Sequence, residues 1–177
     1  LIKSFERIMN LAPSSSDNVF RVRRILDFCS QKGFMLNEMR ALDVGSGLCV
    51  FLAKLQLYGV ECHCIDPSEL SVNHAIDVVG VDGATVVDFL DFHTNLEYEL
   101  VTFNKVLEHV TDPISYLRKA HDVLSPGGIV YIELPDGEAA EENCGISSRE
   151  EFTLDHWTIF SPDSVSYLAR KAGFHCE

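Results

Sequence analysis

The stretch that most narrows what this chain can fold into is Ala41-Leu42-Asp43-Val44-Gly45-Ser46-Gly47-Leu48-Cys49, an apolar run ending in a Gly-x-Gly turn. Leu48, Phe51, Leu52 and Leu55 follow at i, i+3, i+4 and i+7, the stripe of a helix lying against a sheet. A buried strand that runs through two glycines into a helix start makes a cradle for a small ligand. Glycine admits the backbone conformations that other residues resist, and the helix start offers unpaired N–H groups.

Asp66 stands nineteen residues past Gly47, at the end of a second apolar run from Val60 to Ile65, and is followed by Pro67. In a β-α-β unit this spacing puts a carboxylate at the tip of the neighbouring strand, where it accepts both hydroxyls of a ribose. The expected ligand therefore carries a nucleoside. A dinucleotide fingerprint would want a third glycine where Val50 stands, a glycine used for close packing beside a pyrophosphate. Asp43, shortly before Gly45, would repel a pyrophosphate but suits a ligand bearing an ammonium or a sulfonium. S-adenosylmethionine fits that description.

With these residues the sequence resembles a class I S-adenosylmethionine-dependent methyltransferase of the broad small-molecule group. The resemblance extends over roughly residues 17 to 174. Glu99 to Val110 resembles the fourth strand and the loop after it, and Asp112-Pro113 through Gly128 the next helix and turn. His156 to Ser161, with Ala172-Gly173-Phe174, resembles the late helix region. Each motif is weak alone, but four in the right order are strong. The resemblance implies an α/β fold, Rossmann-like and doubly wound, with a mostly parallel sheet and helices on both faces. It also implies that Asp88 meets the adenine amino group and that Phe89 or Leu90 flanks the ring. A carboxylate accepting an exocyclic N–H and an apolar side chain covering a π face make physical sense of both roles. The plainer alternative is that Asp88 only ends a strand. The resembling fold finishes with an antiparallel hairpin, for which the residues up to Glu177 leave room for only a stub. The hairpin is thus expected to be missing, and one sheet edge near strand five to be uncovered or paired with a second copy.

Length and charge bound the rest. At 177 residues the chain is expected to be one domain. Fourteen basic against 27 acidic residues give −13, a surface that repels phosphate backbones and anionic lipid, so nucleic-acid and membrane partners are not expected. No signal peptide or apolar run of membrane length appears. Leu1 is not an initiator methionine, so the sequence reads as a fragment or a processed chain. The six cysteines are scattered. Alternation along a strand points His63 away from Cys62 and Cys64, so small buried residues in a reducing cytoplasm are expected and no metal site.

In chain order, residues 1–16 read as an N-terminal extension, and Asp17 leads into a helix from about Asn18 to Gln31 with Val22, Ile25, Leu26 and Cys29 on one face. By resemblance this helix lies over the mouth of the site; a plain packing helix is the alternative. Pro67 opens a helix to about Val79, Thr85 to Val87 is a short strand, and Leu100 to Phe103 is a central one. Asn104 sits at its carboxyl end, where it is placed to hold the amino-acid part of the cofactor, while Lys105 reads as a solvated flank. A helix follows from Pro113 to Leu124, then a turn into a strand from Ile129 to Leu134. Residues 136–160 form a lid-like segment, acidic and without clear period, and Ser161 caps the last helix.

Methyl transfer requires alignment and exclusion of water, with a base where the acceptor loses a proton. His109 and His156 are the candidate bases by position; the alternative for each is a histidine that fixes its loop. Trp157 and Phe160 are candidates for an apolar acceptor wall. The cofactor residues expected are Asp43, Gly45, Ser46, Gly47, Asp66, Pro67, Asp88, Phe89 and Asn104. The function expected is methyl transfer from S-adenosylmethionine, leaving S-adenosylhomocysteine, to a small-molecule acceptor. An NAD-dependent oxidoreductase and a non-catalytic S-adenosylmethionine-binding module are the alternatives.

Overall fold

The computed structural model describes residues 1–137 and 156–177. Its centre is a five-stranded sheet in the order β3-β2-β1-β4-β5, with β1 at Arg40–Val44, β2 at Glu61–Asp66, β3 at Gly83–Val86, β4 at Tyr98–Asn104 and β5 at Leu124–Glu133. Every pairing is parallel. The described helices are α1 (Ile2–Met9), α2 (Asp17–Gln31), α3 (Val50–Leu55), α4 (Glu69–His74), α5 (Pro113–Ala120) and α6 (Pro162–Lys171).

Strands buried on both faces need apolar residues at successive positions. Leu42, Val44, Ile65, Val101 and Phe103 face a cluster that includes Leu117 and Ala120 of α5 and Ala169 of α6. Their alternates, Ala41, Cys62, Cys64 and Leu100, face Ile25, Leu26 and Cys29 of α2 and Phe51, Leu52 and Leu55 of α3. The doubly wound arrangement expected from the sequence is the one formed. The chain order reverses between β1 and β4, and at such a switch point the strand ends splay into a crevice.

Several boundaries differ from the sequence reading. α3 begins at Val50 because Cys49 takes a left-handed conformation, φ 58°, so Leu48 belongs to the turn and not to the helical stripe. β3 starts at Gly83, two residues early, and β5 at Leu124, five residues early. Leu124 pairs with Tyr98 before a register shift, so the Pro126-Gly127 turn is an irregularity inside the strand. α5 accordingly stops at Ala120. Within the extension, residues 2–9 form a helix with no buried residue. The lid-like segment lies mostly outside the described residues. Its two flanks meet: Asp136 bridges Phe160, and Gly137 N–H donates to the Phe160 carbonyl at 2.9 Å. The outer edge of β5 has no strand partner among the described residues. Among those residues no helix is long and apolar enough to cross a membrane.

Candidate active site

The crevice is built from the turn after β1. Gly45 donates its N–H to the Ile65 carbonyl at 2.8 Å, which ties the turn to β2, and Gly45 and Gly47 both hold positive φ, 69° and 51°. A Cβ on Gly45 would stand 2.9 Å from Val106 Cγ2, so this glycine is required for space as well as conformation. Around Gly47 a Cβ would meet nothing within 4 Å; there the backbone faces open space.

Asp66 closes the turn from β2. Its carboxylate accepts the Gly47 N–H at 3.0 Å and the Ser68 N–H at 2.8 Å, and it is 7% exposed. Each oxygen retains a lone pair for a further donor. Pro67 and Val44 line the same concavity, about 680 Å³, with Asp88, Leu90, Lys105, His109 and Tyr116. A larger groove of about 910 Å³ runs along β5 between α2 and α6, away from the glycine turn. Gly45 of the glycine turn and Asp66 both line the smaller one.

The structure places Asp43 differently from the sequence reading, which set it against the ligand's cation. It is 2% exposed beneath the tips, where its Oδ1 accepts from Thr102 Oγ1 at 2.6 Å and from Asn104 Nδ2 at 2.8 Å. Burial pushes its pKa up to about 6 despite those two hydrogen bonds and the Arg21 guanidinium. Asn104 therefore stands above Asp43, and its Oδ1 is buried with no partner among the described residues. An unsatisfied buried acceptor at a sheet tip is costly, and a cationic N–H donor would satisfy it. Ser46 Oγ is buried as well, next to the Cys64 thiol.

Asp88 is exposed and already engaged: Oδ1 accepts the Leu90 N–H at 2.9 Å and Oδ2 the Tyr116 hydroxyl at 2.7 Å. Burial and then that carboxylate push the Tyr116 phenol well above its ordinary value. Phe89 is 1% exposed and packs edge-on against Phe103, so its ring belongs to the core, whereas Leu90 is 41% exposed at the crevice.

His109 and His156 are brought together, with ring centroids 4.6 Å apart and planes at 73°. The backbone explains why: Trp157 N–H donates to the Glu108 carbonyl at 2.8 Å, pinning the 156–158 segment to the loop after β4. Glu108 is 1% exposed, no other side chain among the described residues hydrogen-bonds its carboxylate, and burial raises its pKa against its own backbone hydrogen bond and the two histidines. Ligand atoms of Glu108, His109 and His156 all lie within 4.8 Å of one another. Trp157 is 71% exposed, while Phe160 is buried. Cys62 and Cys64 are buried with free thiols, and His63 turns to the opposite face toward Glu61 and Tyr98, as alternation requires.

Sequence reasoning did not single out Arg21 and Glu133. Arg21 of α2 is 8% exposed and donates from Nε to Glu133 Oε2 at 2.7 Å and from Nη1 to Asn18 Oδ1 at 2.7 Å, with Nη2 on Glu133 Oε1. The outward polar residue at the end of an apolar strand was a visible signal; its partner 112 residues away was not. Lys105 also went unremarked as a strained position: it holds φ 58° at the end of β4 while its N–H donates to the Glu133 carbonyl.

The fold is a doubly wound parallel sheet with a glycine turn and a tip carboxylate at its switch point, the place where open α/β sheets seat their ligands. The chain matches the model of a methyltransferase domain over residues 5–177 and belongs to that family. It is 31% identical over 150 residues to the ubiquinone biosynthesis O-methyltransferase of Ruegeria pomeroyi, a match covering 76% of this chain and 59% of that protein. The corresponding protein of Histophilus somni is 29% identical over 116 residues, covering 60% of this chain and 49% of its own length. The chain thus spans about half the length of the curated relatives it matches. Among solved structures, an S-adenosylmethionine-dependent methyltransferase from Archaeoglobus fulgidus shares the fold at TM-score 0.67 and 17% identity, covering 90% of this chain and 70% of that one. One from Clostridium acetobutylicum does so at 0.62 and 15%, covering 76% and 58%.

Proposed function

We propose that this chain binds S-adenosylmethionine across the tips of β1, β2 and β4 and transfers its methyl group to a small-molecule acceptor held beside His109 and His156. One observation carries the cofactor reading: Asp66 and the open Gly47 backbone meet at one tip, while Asn104 Oδ1 is buried and unpartnered at the next. The cofactor, when bound, supplies an electrophilic methyl group on a sulfonium.

The chain's own residues do the rest. Asp66 accepts the ribose hydroxyls through the lone pairs left free by its backbone bonds. Asn104 accepts from the ammonium, and Asp43 behind it adds the negative charge. Leu90 covers one face of the adenine, and Asp88 accepts the exocyclic N–H in exchange for its loop bond. His109 takes the acceptor's proton, and Trp157 walls the acceptor. The names of the curated relatives favour an oxygen nucleophile. A reducing, cytoplasmic setting suits the free cysteines, and the open β5 edge suits pairing with a second copy.

His109→Ala is expected to lower kcat by about 10²–10⁴-fold with the S-adenosylhomocysteine Kd unchanged by calorimetry. An equal loss in both would make His109 a pocket-shaping residue only. Titrations with NAD should show no heat; a binding isotherm there would favour the oxidoreductase reading. The convergence of Glu108, His109 and His156 also favours a second reading, in which they hold a divalent cation that activates the acceptor. Activity lost with a chelator and restored by a divalent cation would replace the base by that ion.

A further inference from the structure

Along the sheet face toward α2, the in-register rows change from apolar to polar. Ala41 and Leu100 align with Ile129, then Asp43 and Thr102 with Tyr131, and finally Asn104 with Glu133 at the tips. The helix follows the same gradient. From Val22 onward α2 is held chiefly by apolar burial, through Val22, Ile25, Leu26 and Cys29, with the exposed Arg24 adding longer contacts to the Tyr131 hydroxyl at 3.2 Å and to Glu133 Oε2 at 3.4 Å. Before Val22 its tie to the sheet is Arg21, paired with Glu133 and braced by Asn18. Tyr131 OH donates to the same carboxylate at 2.8 Å. Burial works against the Glu133 charge, but the Arg21 and Tyr131 hydrogen bonds outweigh it and hold its pKa below the ordinary carboxylate range.

These two kinds of attachment differ in how they open. Apolar burial is net stabilising, whereas the attraction within a buried ion pair is largely offset by desolvation of its partners. A segment closed by an ion pair is therefore the part of a helix that opens locally at low cost, while the apolar part stays docked. Glu133 lies beside Asn104 in register, and the Arg21 guanidinium acts on the Asp43 charge, so the N-terminal turns of α2 stand next to the Asp43–Asn104 pair of the proposed seat.

We propose that the Arg21–Glu133 ion pair is a latch that closes the first turns of α2 over the tips of β1, β4 and β5 and opens to admit the cofactor and release its demethylated product. The inference rests on the cofactor seat proposed above. Arg21 and Glu133 are positioning residues: they act through the helix and through Asn104, not on the reacting atoms.

Three variants test it: Arg21→Gln, Glu133→Gln and the exchanged pair R21E/E133R. Hydrogen exchange on the cofactor-free protein should show faster exchange over residues 17–21 in both single variants, with 25–31 as slow as in the parent. The exchanged pair should restore protection. Each single variant should speed S-adenosylhomocysteine dissociation about tenfold in stopped-flow experiments, using Trp157 emission, with recovery in the exchanged pair. Exchange over 17–21 unchanged in both single variants would overturn the latch. So would loss of binding in Arg21→Gln with Glu133→Gln at the parent level, since Arg21 would then touch the ligand directly. If the parent protein does not bind S-adenosylhomocysteine, the cofactor reading fails, and hydrogen exchange alone still decides whether the ion pair gates α2.

Discussion

Asp43 is held at the junction of two opposing demands, burial that disfavours its charge and a proposed ligand that needs it. In the unfolded chain it titrates near 3.8 and in the fold near about 6. Between those values the native state keeps the extra proton, so its contribution to stability is greatest below the lower value and is lost as pH rises through the upper one. A cationic ligand prefers the ionised form, so S-adenosylhomocysteine affinity should rise as pH increases through about 6, by at most about tenfold per pH unit. Calorimetry between pH 5 and 7.5 checks this, and Asp43→Asn should flatten the curve. Asp66→Ala should weaken the same ligand by about 1–3 kcal/mol, by removing the acceptor for two ribose hydroxyls. Unchanged affinity in a folded variant would take Asp66 out of the seat.

The turn joining β1 to α3 separates two reasons for having glycine. Gly45 and Gly47 both hold a left-handed backbone, but only Gly45 also lacks room for a Cβ. Gly47→Ala should therefore cost about 1–2 kcal/mol in urea unfolding, the conformational penalty alone. Gly45→Ala adds overpacking against Val106, a further 1–3 kcal/mol or about that. Equal losses would mean that Val106 moves aside freely. The existence of the turn was legible because two glycines between an apolar run and a helical stripe leave few alternatives. The start of α3 was not, because Cys49 takes a conformation that its residue type disfavours and that surrounding structure imposes.

At the scale of the whole molecule, the outer edge of β5 has no strand partner among the described residues, and a groove runs beside it. Sedimentation velocity across a hundredfold range around ~10 µM should show a concentration-dependent dimer, as an unprotected edge favours. A single monomeric species throughout would mean that the edge is covered by other means. The net charge of −13 sets the background against which Arg21 acts: a buried arginine beside the acidic tips is conspicuous only once the tips are assembled.

Sequence alone determined the doubly wound sheet, the glycine turn, the tip carboxylate at Asp66 and the two histidines near the mouth. Each is encoded locally, by apolar periodicity, by glycines at a turn, or by a fixed spacing along one β-α-β unit. Tertiary structure alone decided that Asp43 lies beneath Asn104, that the Phe89 ring belongs to the core, and that Glu108 is buried close to both histidines. It also decided that Arg21 closes onto Glu133. These depend on which strands become neighbours and in what register. That choice brings together residues far apart in the chain, and no local pattern records it.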